Sequence, residues 1–178
     1  TTSSGTRTGI VLAIDLECYS FVPQDRALIR STEATVLDRL PPRVKIRKDA
    51  PLELPHVMLL YNDPQSRVLS AAARGEVLYD FDLNMGGGHV KGTYIKNAEQ
   101  VINAFSSLLP KGASSEGRML LAACDGNHSP AAANLCWEQR KGSITSAPPA
   151  AHRAPVAVCA AVNVDDGACG FRPPLSCV

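Results

Sequence analysis

The aliphatic run Ile10-Val11-Leu12-Ala13-Ile14 leads into Asp15-Leu16-Glu17, two acids one residue apart. An unbroken run rich in Ile, Val and Leu predicts a central strand buried on both faces. In that strand the i, i+2 spacing projects Asp15 and Glu17 together from the carboxyl end. Open α/β sheets place their ligands at that edge. After a loop over 18–25, Ala27-Leu28-Ile29 and Ala34-Thr35-Val36-Leu37 predict a second strand antiparallel to the first, ended by Pro41-Pro42. Arg43-Val44-Lys45-Ile46-Arg47 alternates cations with aliphatics and predicts a strand with Arg43, Lys45 and Arg47 on one face.

His56 to Tyr61 predicts a further strand, followed by an Asn62-Asp63-Pro64 turn and a short helix from Gln65 to Arg74 stopped by Gly75. Val77-Leu78-Tyr79 with Phe81 reads as a strand. Asn84 to His89, with Gly86-Gly87-Gly88, reads as a flexible connector, and His89 as a surface residue. No lysine-serine pair follows the glycines in the register of a phosphate-binding loop. The clearest helix spans Asn97 to Leu109, where Ala98, Val101, Ile102, Phe105, Leu108 and Leu109 share one face. Asn97 is a suitable N-cap, Gln100 is placed to close a capping box, and Pro110 marks the stop. Arg118 to Ala123 then predicts a strand delivering Cys124-Asp125 to its end. Ala154 to Val164 fits a strand or a helix equally.

This pattern predicts a core over 9–125 between a flexible N-terminus, 1–8, and a C-terminal region, 126–178, rich in Ala, Pro and Cys and truncated or irregular in structure. At 178 residues the chain can bury a real core. Its formal net charge of +1 provides no global attraction to nucleic acid, so any such binding rests on a local patch. No apolar stretch approaches the ~20 residues needed to span a bilayer, so no membrane partner is expected. Five of the six cysteines lie beyond residue 111, none in a C-x-x-C pair, and without a secretory signal they read as free thiols of an intracellular protein. Asn127-His128-Ser129 fits a glycosylation sequon, but no secretory context accompanies it.

Two carboxylates held together repel unless a cation sits between them, and hard oxygen ligands suit Mg²⁺ or Mn²⁺. Asp15 and Glu17 are therefore candidate metal ligands, weighed against the simpler reading that acids end a strand. Arg43, Lys45 and Arg47 read either as contacts to a nucleic-acid backbone or as a solvated face protecting an edge strand.

The Ala13-Ile14-Asp15-Leu16-Glu17 motif, the strands at 27–29 and 34–38, the helix from Ala98 and the strand from Arg118 follow in an order that resembles the DEDD exonucleases of the ribonuclease H-like superfamily. Among them it is most similar to degenerate fungal members. The resemblance covers the first two-thirds of the chain and implies an α/β ribonuclease H-like fold, a mixed sheet flanked by helices. It further implies a two-metal 3′–5′ exonuclease acting on single-stranded ends of DNA or RNA. Asp15, Glu17, Asp125 and either Asp165 or Asp166 would be catalytic, the first three as ligands of Mg²⁺ or Mn²⁺. Asp125 sits early for the family's second motif. The third motif, a histidine with a downstream Asp, has no match in register at His128 or His152. The alternative is an inactive ribonuclease H-like module that binds nucleic acid or a protein partner.

Overall fold

A computed structural model describes residues 5–22, 24–54, 56–109, 118–141 and 156–168. In chain order its elements are β1 (Gly9–Asp15), β2 (Tyr19–Ser20), β3 (Ile29–Ser31), α1 (Leu40–Lys48), β4 (Val57–Tyr61), α2 (Arg67–Ala71), β5 (Arg74–Asp82), β6 (His89–Ile95), α3 (Ala98–Ser107), β7 (Leu121–Asp125), α4 (His128–Lys141) and β8 (Val156–Asn163). They group into two compact units. One comprises Ile10–Tyr61 and Leu109–Ala161, the other Thr1–Gly9, Asn62–Leu108 and Val162–Val178.

The first unit is built on a six-stranded sheet of order β1-β8-β4-β7-β3-β2. It is mixed: β2 and β7 each run parallel to β3, while β4 and β7 are antiparallel. The chain is thus α/β, with helices α1 and α4 accompanying a mixed sheet. β4 is buried on both faces. Val57, Leu59, Leu60 and Tyr61 are all under 9% exposed, and consecutive strand residues point to opposite sides. Helix α4 packs on α1, buries Ala131, Ala132 and Ala133, and is tied to the turn after β1 by Asn134 Nδ2, which donates to Leu16 O at 3.1 Å.

Several sequence expectations are corrected here. β1 lies at the sheet edge rather than its centre, and it stops at Asp15; Leu16–Cys18 form a single 3-10 turn capped by the Asp15 side chain. Val11 and Ala13 are exposed while Ile10 and Ile14 are buried, so β1 has one face toward solvent whatever its hydropathy. The second strand is only Ile29–Ser31 and pairs in parallel, β2 arises within the expected loop, and 34–36 is no strand. The alternating run 43–47 is helical. Pro41 and Pro42 begin α1 instead of ending a strand, since the first helical turn needs no N–H donors from these residues. β8, left open between strand and helix, is a strand between β1 and β4.

In the second unit β5 and β6 form an antiparallel hairpin, in register at Asp82↔His89, Asp80↔Lys91 and Tyr79↔Gly92. A Cβ at residue 92 would lie 2.1 Å from the Tyr79 ring, so glycine is what allows that ring to lie across the partner strand. The three glycines expected as a flexible connector close the hairpin through a turn at Asn84–Gly86, with Leu83 N–H donating to Gly88 O at 2.7 Å. Gly75 lies within β5, and the preceding helix is only Arg67–Ala71. Asn97 precedes α3 but makes no capping bond to its backbone; its amide bridges to Ala73 N–H (2.7 Å) and Ala71 O (2.6 Å). Val101 and Phe105 are buried as the periodicity predicts, whereas Ile102 is 62% exposed. Asp63, 1% exposed, accepts from Val68 N–H at 2.9 Å, and its backbone exchanges hydrogen bonds with the Asn163 side chain.

Two expectations follow. Leu59→Ala removes a fully buried side chain from the central strand and should destabilise the chain by about 2–5 kcal/mol in denaturant unfolding. In the hairpin, hydrogen bonds to Asp82 and Asp80 hold the His89 pKa above its ordinary value, while Lys91 and His89 hold Asp80 below its own. A group whose pKa rises on folding stabilises the fold below its unfolded pKa and ceases to do so as pH climbs through the folded one. Wild type should therefore melt above His89→Gln in mildly acid buffer and converge with it above neutrality; a gap independent of pH would contradict this.

Candidate functional site

The antiparallel register of β4 and β7 sets Met58 opposite Asp125, so the start of β4 lies beside the exit of β7 into α4. The chain turns there at Gly126, whose φ of +76° suits glycine and where an added Cβ would come within 3.6 Å of Val57 and 3.8 Å of His56 O. Ser129 N–H donates to Gly126 O at 2.8 Å, and α4 begins at His128. His56, just before β4, is thereby brought to Ser129 at the helix N-terminus, with Nε2 to Oγ at 2.5 Å. His56 Nδ1 lies 2.8 Å from Leu54 O. A carbonyl can only accept, so Nδ1 carries the proton, and in the neutral ring Nε2 is left to accept from the Ser129 hydroxyl.

His56 and Ser129 line one part of a cavity of about 560 Å³. Leu16, Ile46, Leu52, Leu54, Ala132 and Trp137 provide its apolar lining; Arg43, Arg47 and Lys48 from α1 and Arg140 from α4 provide its charge. Among the described residues lining the cavity, Glu53 is the one carboxylate against these four cations, and it pairs with Arg47 at 2.6 Å. On a helix Arg43 and Arg47 are one turn apart and share a face, which is why both reach the cavity while Lys45 does not line it. Burial raises the Cys136 thiol above its ordinary pKa despite the opposing charges of Arg47, Arg140 and Lys48, so this cysteine is not activated.

The acids expected to gather are placed as follows. Asp15 Oδ1 accepts from Glu17 N–H at 2.9 Å, which turns Asp15 into a local cap. Glu17 pairs with Lys141 Nζ at 2.6 Å and accepts from Trp137 Nε1. Those hydrogen bonds, Lys141 first, hold its carboxyl below the ordinary range. Asp125 ends β7, which β8 and β4 separate from β1 in the sheet order. Asp166 belongs to the other unit and accepts from Thr8 and Ala168 N–H, both at 2.9 Å, which lowers its pKa. Asp165 is exposed in the same turn. Among the described residues, which exclude the Asp125 side chain, no three His, Cys, Asp or Glu side chains gather around a metal position. His128 Nε2 accepts from Val36 N–H at 3.3 Å, and His152 lies outside the described residues. Cys18, Cys136 and Cys159 are free thiols. No described helix is long and apolar enough to cross a membrane.

The Ser129–His56 pair went unread in the sequence, although a strand, a glycine turn and a Ser-Pro helix start are consecutive there. Nothing local links that segment to His56.

No curated protein and no solved structure matches this chain. Residues 1–172 match the sequence family described as Protein of unknown function (DUF1015), and no exonuclease or ribonuclease H-like family matches. The resemblance to DEDD exonucleases is overturned by that match, and the roles it implied for Asp15, Glu17, Asp125 and Asp166 lose their support. With nearly its whole length covered, the chain belongs to the DUF1015 family.

Proposed function

We propose that the sheet unit binds a phosphate-bearing ligand with a flat apolar part, a nucleotide either free or at the end of a single strand, in the groove between α1 and α4. One observation carries this reading: Arg43, Arg47, Lys48 and Arg140 line a cavity of about 560 Å³ whose remaining lining is largely apolar and includes Trp137. Guanidinium groups fit phosphate oxygens through paired N–H donors, and a low-dielectric lining strengthens the attraction. The ring of Trp137, together with Ile46 and Leu52, offers surface on which a base can rest. A cavity of this size suits a small ligand. Of the cations expected from the sequence to meet phosphate, Arg43 and Arg47 belong to this groove.

Trp137 is the chain's single tryptophan, so its fluorescence reports directly on the groove. Titration with adenosine monophosphate should change that emission saturably, with an affinity that falls as salt rises. Arg43→Glu or Lys48→Glu, both at exposed positions, should weaken binding roughly tenfold or more, the scale of one charge-assisted hydrogen bond. Binding of a short oligonucleotide much tighter than that of the mononucleotide would assign the ligand to a strand end. Binding unaffected by both charge reversals would refute the groove as the site.

A further inference from the structure

We propose that Ser129 is a nucleophile activated by His56, and that the groove therefore turns over a phosphate ester instead of merely holding it. The inference rests on the groove reading for its substrate class, while the pair itself stands on separate geometry. Three features meet. Ser129 Oγ lies 2.5 Å from His56 Nε2. His56 Nδ1 is held by the Leu54 carbonyl at 2.8 Å, which orients the ring and leaves Nε2 as the acceptor, the position a third group occupies in serine hydrolases. Both side chains line the cavity that carries Arg43, Arg47, Lys48 and Arg140.

The local backbone suits such a role. β7 ends, the chain reverses at Gly126, and α4 starts with Ser129 in its first turn, so the hydroxyl sits at the positive end of a helix of 14 residues. That end, with the cations of the cavity, favours the charge that builds on phosphoryl oxygens as a bond to phosphorus forms. Asn127, in the same turn, is 6% exposed, and its Oδ1 is buried without a hydrogen-bond partner among the described residues. Burying an unpaired amide oxygen costs stability, and a ligand donor or an ordered water at this turn would relieve it.

In the reaction, His56 Nε2 takes the Ser129 proton as Oγ attacks phosphorus. The Oγ–P bond forms, the bond from phosphorus to the leaving alkoxyl oxygen breaks, and the proton on His56 passes to that oxygen, releasing an alcohol. Water then attacks the phosphoserine with His56 again accepting a proton, the Oγ–P bond breaks, and Ser129 recovers its hydrogen as phosphate or a phosphomonoester departs. No oxidant or reductant is required.

The test is covalent capture on the full chain with an alkyl fluorophosphonate, which forms an Oγ–P bond and expels fluoride. Peptide mass spectrometry should place one adduct on Ser129. His56→Gln should slow labelling about 100-fold or more, the contribution of a general base. Ser129→Ala should abolish the adduct, with circular dichroism and melting confirming that both variants fold. If the hydrogen bond is purely structural, His56→Gln should lower the melting temperature and leave the labelling rate unchanged. Wild type that folds but is unlabelled at Ser129, or that labels equally fast in His56→Gln, overturns the proposal. Labelling is read independently of Trp137 fluorescence, so nucleotide binding without labelling overturns only the nucleophile, and labelling without nucleotide binding overturns only the groove's ligand class.

Discussion

Burial of β4 is the constraint on which the sheet unit depends. A strand with Val57, Leu59, Leu60 and Tyr61 all buried has no face for water, and both of its edges must be hydrogen-bonded because an unpaired backbone group inside a core costs more than a bond returns. Its partners are β7 and β8, so the strand is completed by segments some 60 to 100 positions further along the chain. Each apolar side chain of β4 contributes on the order of 1.5–3 kcal/mol through burial, provided the later segments arrive.

The same pairing creates the site. Because β4 and β7 run antiparallel, the residue entering one strand adjoins the residue leaving the other, and His56 meets the β7-to-α4 turn. Strand pairing thus does for His56 and Ser129 what no short-range motif does. The cations have a related origin. Lys45, Arg47 and Lys48 lie in the last turn of α1, and Arg140 and Lys141 in the last turn of α4, where positive charge complements the helix dipole. Packing α1 on α4 gathers part of that charge into one groove, where it becomes available to an anion. Glu53 and Glu17 offset some of the mutual repulsion through Arg47 and Lys141.

Legibility in the sequence follows the range of the deciding interaction. The face of α3 that buries Val101 and Phe105 is written in a 3.6-residue period, and β4 and β7 in short apolar runs, so their positions were apparent. Helix α4 carries no comparable stripe: its buried positions are Pro130 and three consecutive alanines, small enough for close helix packing yet weak as a periodic signal. The run from Arg43 to Arg47 satisfies both the strand period and a helix in which 43 and 47 coincide, and the prolines before it read as a stop although they serve as a start. The Asp-x-Glu pair was misread for a similar reason. Two residues apart means a common side only while the backbone stays extended, and beyond Asp15 it turns into a 3-10 helix.

Sequence alone determined the α/β class, the strand cores of β4 and β7, the buried stripe of α3 and the basic character of residues 43–47, because each depends on neighbours within a few positions. The tertiary structure decided that β1 is an edge strand, that β8 stands between it and β4, that Arg43 and Arg47 share a groove with Arg140 and Trp137, and that Ser129 meets His56. These depend on which distant backbones exchange hydrogen bonds and in which direction. That choice is made by the collective burial of the whole sheet, and no local pattern of side chains encodes it.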